Sequence, residues 1–120
     1  MALRWEAAVV LLAMAGCTRV SVTVHNETES PVEYEAFEVE DGTERKIGSG
    51  RLPAGGSEDF SFSSKVKDAG GVLIRAEVRG VKLERDDCYL TPNQITENCH
   101  FFVFDDAILN YVLAQERQGK

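Results

Sequence analysis

Val20-Ser21-Val22-Thr23-Val24-His25 alternates apolar and polar side chains with a period of two. Successive side chains of an extended strand point to opposite faces, so this stretch reads as a half-buried strand with its valines on the core side. The alternation resumes a few residues on, with Val32, Tyr34 and Ala36 on one side and Glu33 and Glu35 on the other. Phe37 and Val39 then fall one residue out of phase, and a β-bulge at Ala36-Phe37 is expected to return both sets to the core face. Residues 26–31 are polar and end in proline, so the two strands are expected to form a hairpin closed by that loop.

The pattern continues downstream. Asp41-Gly42 is a tight-turn signal. Arg45-Lys46-Ile47-Gly48 reads as a short strand, residues 52–57 as a loop rich in Gly and Pro, and Phe60-Ser61-Phe62-Ser63 as another alternating segment. Residues 64–71 connect to a strand over residues 72–78, where Ile74, Ala76 and Val78 oppose Arg75, Glu77 and Arg79. Gly80 is expected to bend this strand, with Val81 and Leu83 extending it. Phe101-Phe102-Val103-Phe104 reads as a central strand covered on both faces. In the tail, Asp105 or Asp106 is placed to cap a helix over residues 107–117, with Gly119 beyond its end. The same residues fit a last strand, and composition favours the helix. Short strands separated by Gly and Pro turns make the fold class mainly β: an antiparallel β-sandwich with a short C-terminal helix, one domain over residues 20–120.

Upstream, residues 7–15 are continuously apolar. This is too short to span a bilayer, which takes about 20 residues, but it has the length of a secretory leader's core. Ala13-Met14-Ala15 fits ordinary signal-peptidase cleavage. Met14-Ala15-Gly16-Cys17 resembles the lipobox of bacterial lipoproteins. That resemblance implies a signal peptide over residues 1–16, cleavage before Cys17, acylation of its thiol with palmitate-like chains and of its new amine, and a tether of residues 17–19. At 3.3–3.6 Å per residue, Thr18 and Arg19 reach about 10 Å at most, so the domain is expected close to the membrane. Thr18 is not Asp, which by the same resemblance favours the outer membrane. The Val-x-Val strand, the Asn-x-Thr turn, Pro31-Val32, Lys46-Ile47-Gly48 and the Phe-x-Phe strand are similar to the immunoglobulin-like sandwich of many uncharacterised bacterial lipoproteins. That likeness spans residues 20–78 and implies no catalytic residues.

Cysteine counting bears on the choice. There are three cysteines, and an odd number in a secreted protein leaves a reactive thiol. Lipidation of Cys17 leaves Cys88 and Cys99 to pair. Redox pairs sit as Cys-x-x-Cys, so Cys88–Cys99 reads as a structural disulfide pinning the Pro92 loop to the Phe101–Phe104 strand.

Twenty acidic against 13 basic residues give a formal net charge of −7. An acidic body is wrong for nucleic acid, whose phosphates call for Lys and Arg, and for electrostatic docking on anionic lipid. The two histidines, His25 and His100, show no ligand cluster in sequence, so no metal and no cofactor are expected. A metal carrier or small enzyme requires a fold that gathers both imidazoles with carboxylates, and imidazoles more than about 10 Å apart would exclude it. Asp86-Asp87 and Asp105-Asp106 are explained by turns and capping. Gly48-x-Gly50 lacks the rest of a phosphate loop, and the serines lack a nucleophile elbow. Asn26-Glu27-Thr28 matches a glycosylation acceptor, which matters only in a eukaryotic host. Tyr89 and Leu90 either form a binding tip within the disulfide loop or seal the end of the sandwich. The expected function is a non-catalytic, membrane-tethered binding or assembly module meeting an envelope protein partner. A freely secreted binding or inhibitor module is the alternative, and a metal carrier or enzyme the third reading.

Overall fold

The computed structural model describes residues 18–93 and 96–119, together with the backbone pairing of Thr96 onward. The leader, the lipobox and Cys17 lie outside the described residues. Eight strands are described: β1 (Arg19–Asn26), β2 (Val32–Glu40), β3 (Thr43–Leu52), β4 (Ser57–Ser63), β5 (Gly70–Val78), β6 (Val81–Leu90), β7 (Thr96–Val103) and β8 (Ile108–Asn110). One helix, α1 (Tyr111–Gln118), follows. They form two four-stranded sheets, β4-β1-β7-β8 and β3-β2-β5-β6. The two pack face to face as an immunoglobulin-like β-sandwich.

The valines of the first strand do what their spacing requires. Val20, Val22 and Val24 are fully buried and meet Val32, Tyr34, Ala36, Val72, Ile74, Phe101 and Val103 in one core between the sheets. The expected hairpin of β1 with β2 is not formed. The two strands lie in different sheets, and residues 27–31 carry the chain across the sandwich. Both alternating sets face one core, which is satisfied equally by two strands side by side or by two strands facing each other. β1 instead sits centrally in its sheet, antiparallel to β4 and parallel to β7. That one parallel pair departs from the expected all-antiparallel pattern.

Two tight turns make the hairpins of the second sheet. Asp41 and Gly42 (φ 51° and 78°) join β2 to β3, and Arg79 and Gly80 (φ 50° and 81°) join β5 to β6. Both central residues have positive φ, the twist that matches right-handed strands. Gly80 therefore ends β5 and reverses the chain, with Val78 opposite Val81. It does not bend a continuing strand.

The bulge expected at Ala36-Phe37 exists in the register, but its extra residue belongs to the partner strand. Ala36 faces Gly48 and Phe37 faces Lys46, which leaves Ile47 as the insertion in β3. β2 keeps its phase against β5 throughout. Phe37 and Val39 thus remain on the outer face, where the Arg75 guanidinium lies 5.0 Å from the Phe37 ring. Glu38 points inward and is 5% exposed.

A second bulge, in β6, decides the fate of Tyr89 and Leu90. Cys88 and Tyr89 together oppose Gly71, and Cys88 has a φ of 68°. The extra residue inverts the alternation, so Leu90 is fully buried and Tyr89 is 68% exposed. A Cβ at Gly71 would come within 2.9 Å of the Asp86 carboxylate and 3.2 Å of the Asp87 carbonyl, so the chain packs closely against this glycine at the bulge.

The tail is both strand and helix. Ile108–Asn110 pairs with β7, and α1 starts at Tyr111 with Asn110 as its cap, not Asp105 or Asp106. Gly119 closes the helix, its N–H donating to the Gln115 carbonyl.

Candidate functional site

The N-terminal end of β1 defines one pole of the sandwich. Thr18 is buried. Its hydroxyl donates to the Thr91 carbonyl, and its own carbonyl accepts from Ser64 N–H. β1 begins at Arg19, one residue before the strand start expected at Val20. Cys88 and Cys99 are bonded at this pole, with their Cα atoms 5.9 Å apart. The bond joins β6 of one sheet to β7 of the other, and residues 91–93 belong to the loop it pins. Of the expected binding pair, Tyr89 is on the surface at this pole and Leu90 is part of the core. Leu90 therefore seals the sandwich end, the second of the two roles open to it.

Each open flank of the sandwich is closed by charged groups. At the β3/β4 flank, Glu38 accepts from Arg45 at 2.7 Å and from Lys65 N–H at 3.1 Å, while Arg45 also donates to the Ser63 carbonyl. Further along, the Tyr34 hydroxyl donates to Glu58. Burial, and then that carboxylate, push the Tyr34 phenol well above its ordinary value. Gly48 and Gly50 line this flank. A Cβ at Gly48 would meet the Phe60 ring at 3.1 Å, and one at Gly50 would meet Glu58 at 2.6 Å. The two glycines therefore have a packing role.

At the β6/β8 flank, Asp87 accepts from Asn110 Nδ2, Cys88 N–H and Arg85. Burial pushes its carboxyl up, but these donors outweigh it and hold Asp87 below the usual range. Its neighbour Asp86 is raised, by burial and then by Asp87 and Glu84. Glu40 accepts from the backbone N–H groups of Lys67, Asp68 and Ala69, which hold its carboxyl down and clasp the β4–β5 connection. Asp87 and Glu40 are held by structural donors, and neither is paired with a second carboxylate across a cleft as general acid and base catalysis needs.

The far pole is organised by Asn26, 1% exposed. Its amide donates to the carbonyls of Ser30, Leu52 and Pro53, and its oxygen accepts from the N–H and hydroxyl of Thr28. The sequence match to a glycosylation acceptor is thus a buried, fully bonded side chain. Arg79 reaches from the β5–β6 turn to Ser30 and Asp105, so the far loops are tied to one another.

The outer face of the β4-β1-β7-β8 sheet carries a group the sequence did not reveal. His25 Nε2 lies 3.4 Å from His100 Nδ1. The His25 ring stacks on Phe102 with centroids 4.3 Å apart and planes 6° from parallel. Tyr111 tilts against both His100 and Phe102. The parallel pairing puts Thr23 opposite His100 and His25 opposite Phe102, which sets the two imidazoles on a diagonal of one face. Burial, then the neighbouring His100, lower the His25 pKa, against Glu27 and Asp59, which raise it. The separation of more than 10 Å that would have excluded metal binding is not found. Among the described residues, no group of three or more His, Cys, Asp or Glu side chains converges on one point.

No family model matches the chain, and no curated protein is similar to it. Solved structures do resemble it. An NMR structure of a protein from Eubacterium rectale superposes with a TM-score of 0.50 at 15% identity, covering 78% of this chain and 88% of that one. A putative cell adhesion protein from Bacteroides ovatus gives 0.47 at 9% identity, over 78% of this chain and 42% of that one. Sea bream transthyretin in complex with thyroxine gives 0.44 at 12% identity, over 76% and 91%. At 15% identity the Eubacterium rectale likeness concerns the fold alone.

Proposed function

We propose that this chain is a non-catalytic module of the bacterial cell envelope, held at a membrane by a lipidated Cys17 and acting through its folded body on a protein partner. The observation that carries this reading is the way the chain enters the fold. Thr18 is buried and hydrogen-bonded on both its hydroxyl and its carbonyl, and β1 starts at Arg19. A lipid on the preceding residue therefore attaches to a rigid body with no linker between. Several acyl chains make such an anchor stable, at about 0.8 kcal/mol per buried methylene. Among the described residues no helix is long and apolar enough to cross a membrane.

An anchored chain of this kind has a fixed polarity. The pole with Thr18, Tyr89 and the disulfide loop is nearest the lipid. The opposite pole, with residues 27–31, 53–56 and 104–107, is offered to a partner. The Asn26 and Arg79 contacts make those loops rigid before they bind, which lowers the ordering cost of association. The outer membrane is the favoured address.

Intact-mass measurement and palmitate labelling of the protein from its own cells test the anchor. Triacylated Cys17 at the N-terminus is expected, and Cys17→Ser should abolish both the labelling and the membrane fraction. An unmodified N-terminus after Ala15 would establish the freely secreted form, and a retained leader would overturn both.

A further inference from the structure

The route by which the chain enters the fold fixes which side chains stand beside a lipid on Cys17. We propose that Tyr89, Lys65 and Lys67 form an interfacial footprint, which rests the near pole on the headgroups of the bilayer and holds the sandwich at one orientation to it. This inference rests on the anchor proposed above and goes beyond it, since an anchor at a single residue leaves the body free to pivot.

Two hydrogen bonds bracket the entry point. The Thr18 hydroxyl donates to the Thr91 carbonyl at 3.1 Å, and the Thr18 carbonyl accepts from Ser64 N–H at 2.8 Å. Tyr89 stands two residues before Thr91, and Lys65 directly follows Ser64. At 3.3–3.6 Å per residue, Tyr89 lies within about 7 Å of the first contact along the chain, and Lys65 within about 4 Å of the second. Cys17 is joined to Thr18 itself, so acyl chains on its thiol and amine enter the bilayer beside these two side chains.

The three residues have the chemistry of a membrane interface. Tyr89 is 68% exposed, because Cys88 and Tyr89 together oppose Gly71. Without that extra residue, alternation along β6 would turn position 89 inward and Leu90 outward. A bulge, a left-handed Cys88 and the bond to Cys99 thus keep the phenol on the surface of the pole. An apolar ring with a polar tip is favoured at headgroup level, where one end is dry and the other wet. Lys65 and Lys67 are exposed on either side of buried Val66. Their stems can lie along apolar surface while the ammonium groups reach lipid phosphates. Asp68 follows them, and the chain as a whole is acidic, so the contact is with individual headgroups and not a long-range attraction to anionic lipid.

Trp5 is the only tryptophan in the sequence and lies in the expected leader, so Tyr89→Trp makes position 89 the one tryptophan of the processed chain. The protein, its acyl chains checked by intact mass, is placed in vesicles of phosphatidylethanolamine and phosphatidylglycerol. Emission from the Tyr89→Trp chain should shift to the blue and be quenched several-fold more strongly by brominated acyl chains than that of Val81→Trp. Val81 is 52% exposed beside the Arg79-Gly80 turn of the opposite pole. In the unaltered chain on vesicles, a water-soluble amine reagent should modify Lys65 and Lys67 several-fold more slowly than in the unanchored Cys17→Ser chain, while exposed Lys82 reacts equally in both. Equal quenching at positions 89 and 81, or lysines as reactive on vesicles as in solution, overturns the footprint and leaves the anchor standing. An unacylated N-terminus overturns the anchor, and the footprint with it.

Discussion

Asn110 Nδ2 donates to Asp87 Oδ2 at 2.8 Å, while Asn110 Oδ1 accepts from Leu113 N–H at 2.9 Å. One amide thus caps the C-terminal helix and fastens it to the strand that carries Cys88. Asn110→Ala removes the cap and leaves Asp87 with one donor fewer. A loss of about 1–2 kcal/mol is expected in chemical denaturation. Amide exchange in residues 111–118 should rise more than in the core strands, and an unchanged pattern would show that the helix is held by other contacts.

Glu38 is an inward-facing carboxylate at the rim of the core, and Arg45 and Lys65 N–H depend on it. Glu38→Ala leaves Lys65 N–H without its acceptor and Arg45 with the Ser63 carbonyl, and should cost about 2–3 kcal/mol. Arg45→Ala should cost less, because Lys65 N–H keeps its partner. A double variant no worse than Glu38→Ala alone would establish that the two side chains act as one unit.

Asn26 makes five hydrogen bonds that join the residue 27–31 crossing to the β3–β4 loop. Asn26→Ala should destabilise by about 3 kcal/mol. Asn26→Asp should be no milder, since a carboxylate cannot donate to three carbonyl groups. Thermal unfolding of the two variants checks the order. A folded Asn26→Asp chain of parental stability would contradict the assigned amide orientation.

His25 makes stability depend on pH. Its folded pKa lies below the ordinary value of 6.5, so the unfolded chain binds more protons in this window. The contribution is therefore full above about pH 6.5 and is lost as pH falls through the lowered folded value. The unfolding midpoint should drop between pH 7 and 5, and His25→Gln should flatten that part of the profile. An identical slope in the variant would assign the effect to other groups.

Much of this fold was legible because alternation reports which face of a strand is buried. Val20, Val22 and Val24, and later Ile74, Ala76 and Val78, are core residues as their spacing required, and Cys88 and Cys99 are paired. Alternation does not report which sheet a strand joins. It therefore allowed a β1–β2 hairpin where the chain crosses the sandwich, and it read Gly80 as a bend where there is a reversal. Bulges hide in the same way. Phe37 and Val39 invited one in their own strand, yet the insertion is Ile47 in the neighbour, and so the buried Glu38 was missed.

The imidazole pair had no sequence signal at all. His25 and His100 are 75 positions apart and meet only because β1 and β7 run parallel. Asn110 was more accessible, since an amide directly before the good helix formers of residues 111–118 is a capping signal. Asp105 and Asp106, just upstream, carry the same capping signal and compete with it in the sequence.

The central seat of β1 has a mechanical consequence. Its backbone hydrogen bonds to β4 and β7 run across the strand direction along nearly its full length. A pull applied at the start of β1 and along its axis loads these bonds together in shear and does not open them one after another like a zip. Under the proposed anchoring, a tug between the membrane and a partner on the far loops would be borne by the whole sheet at once.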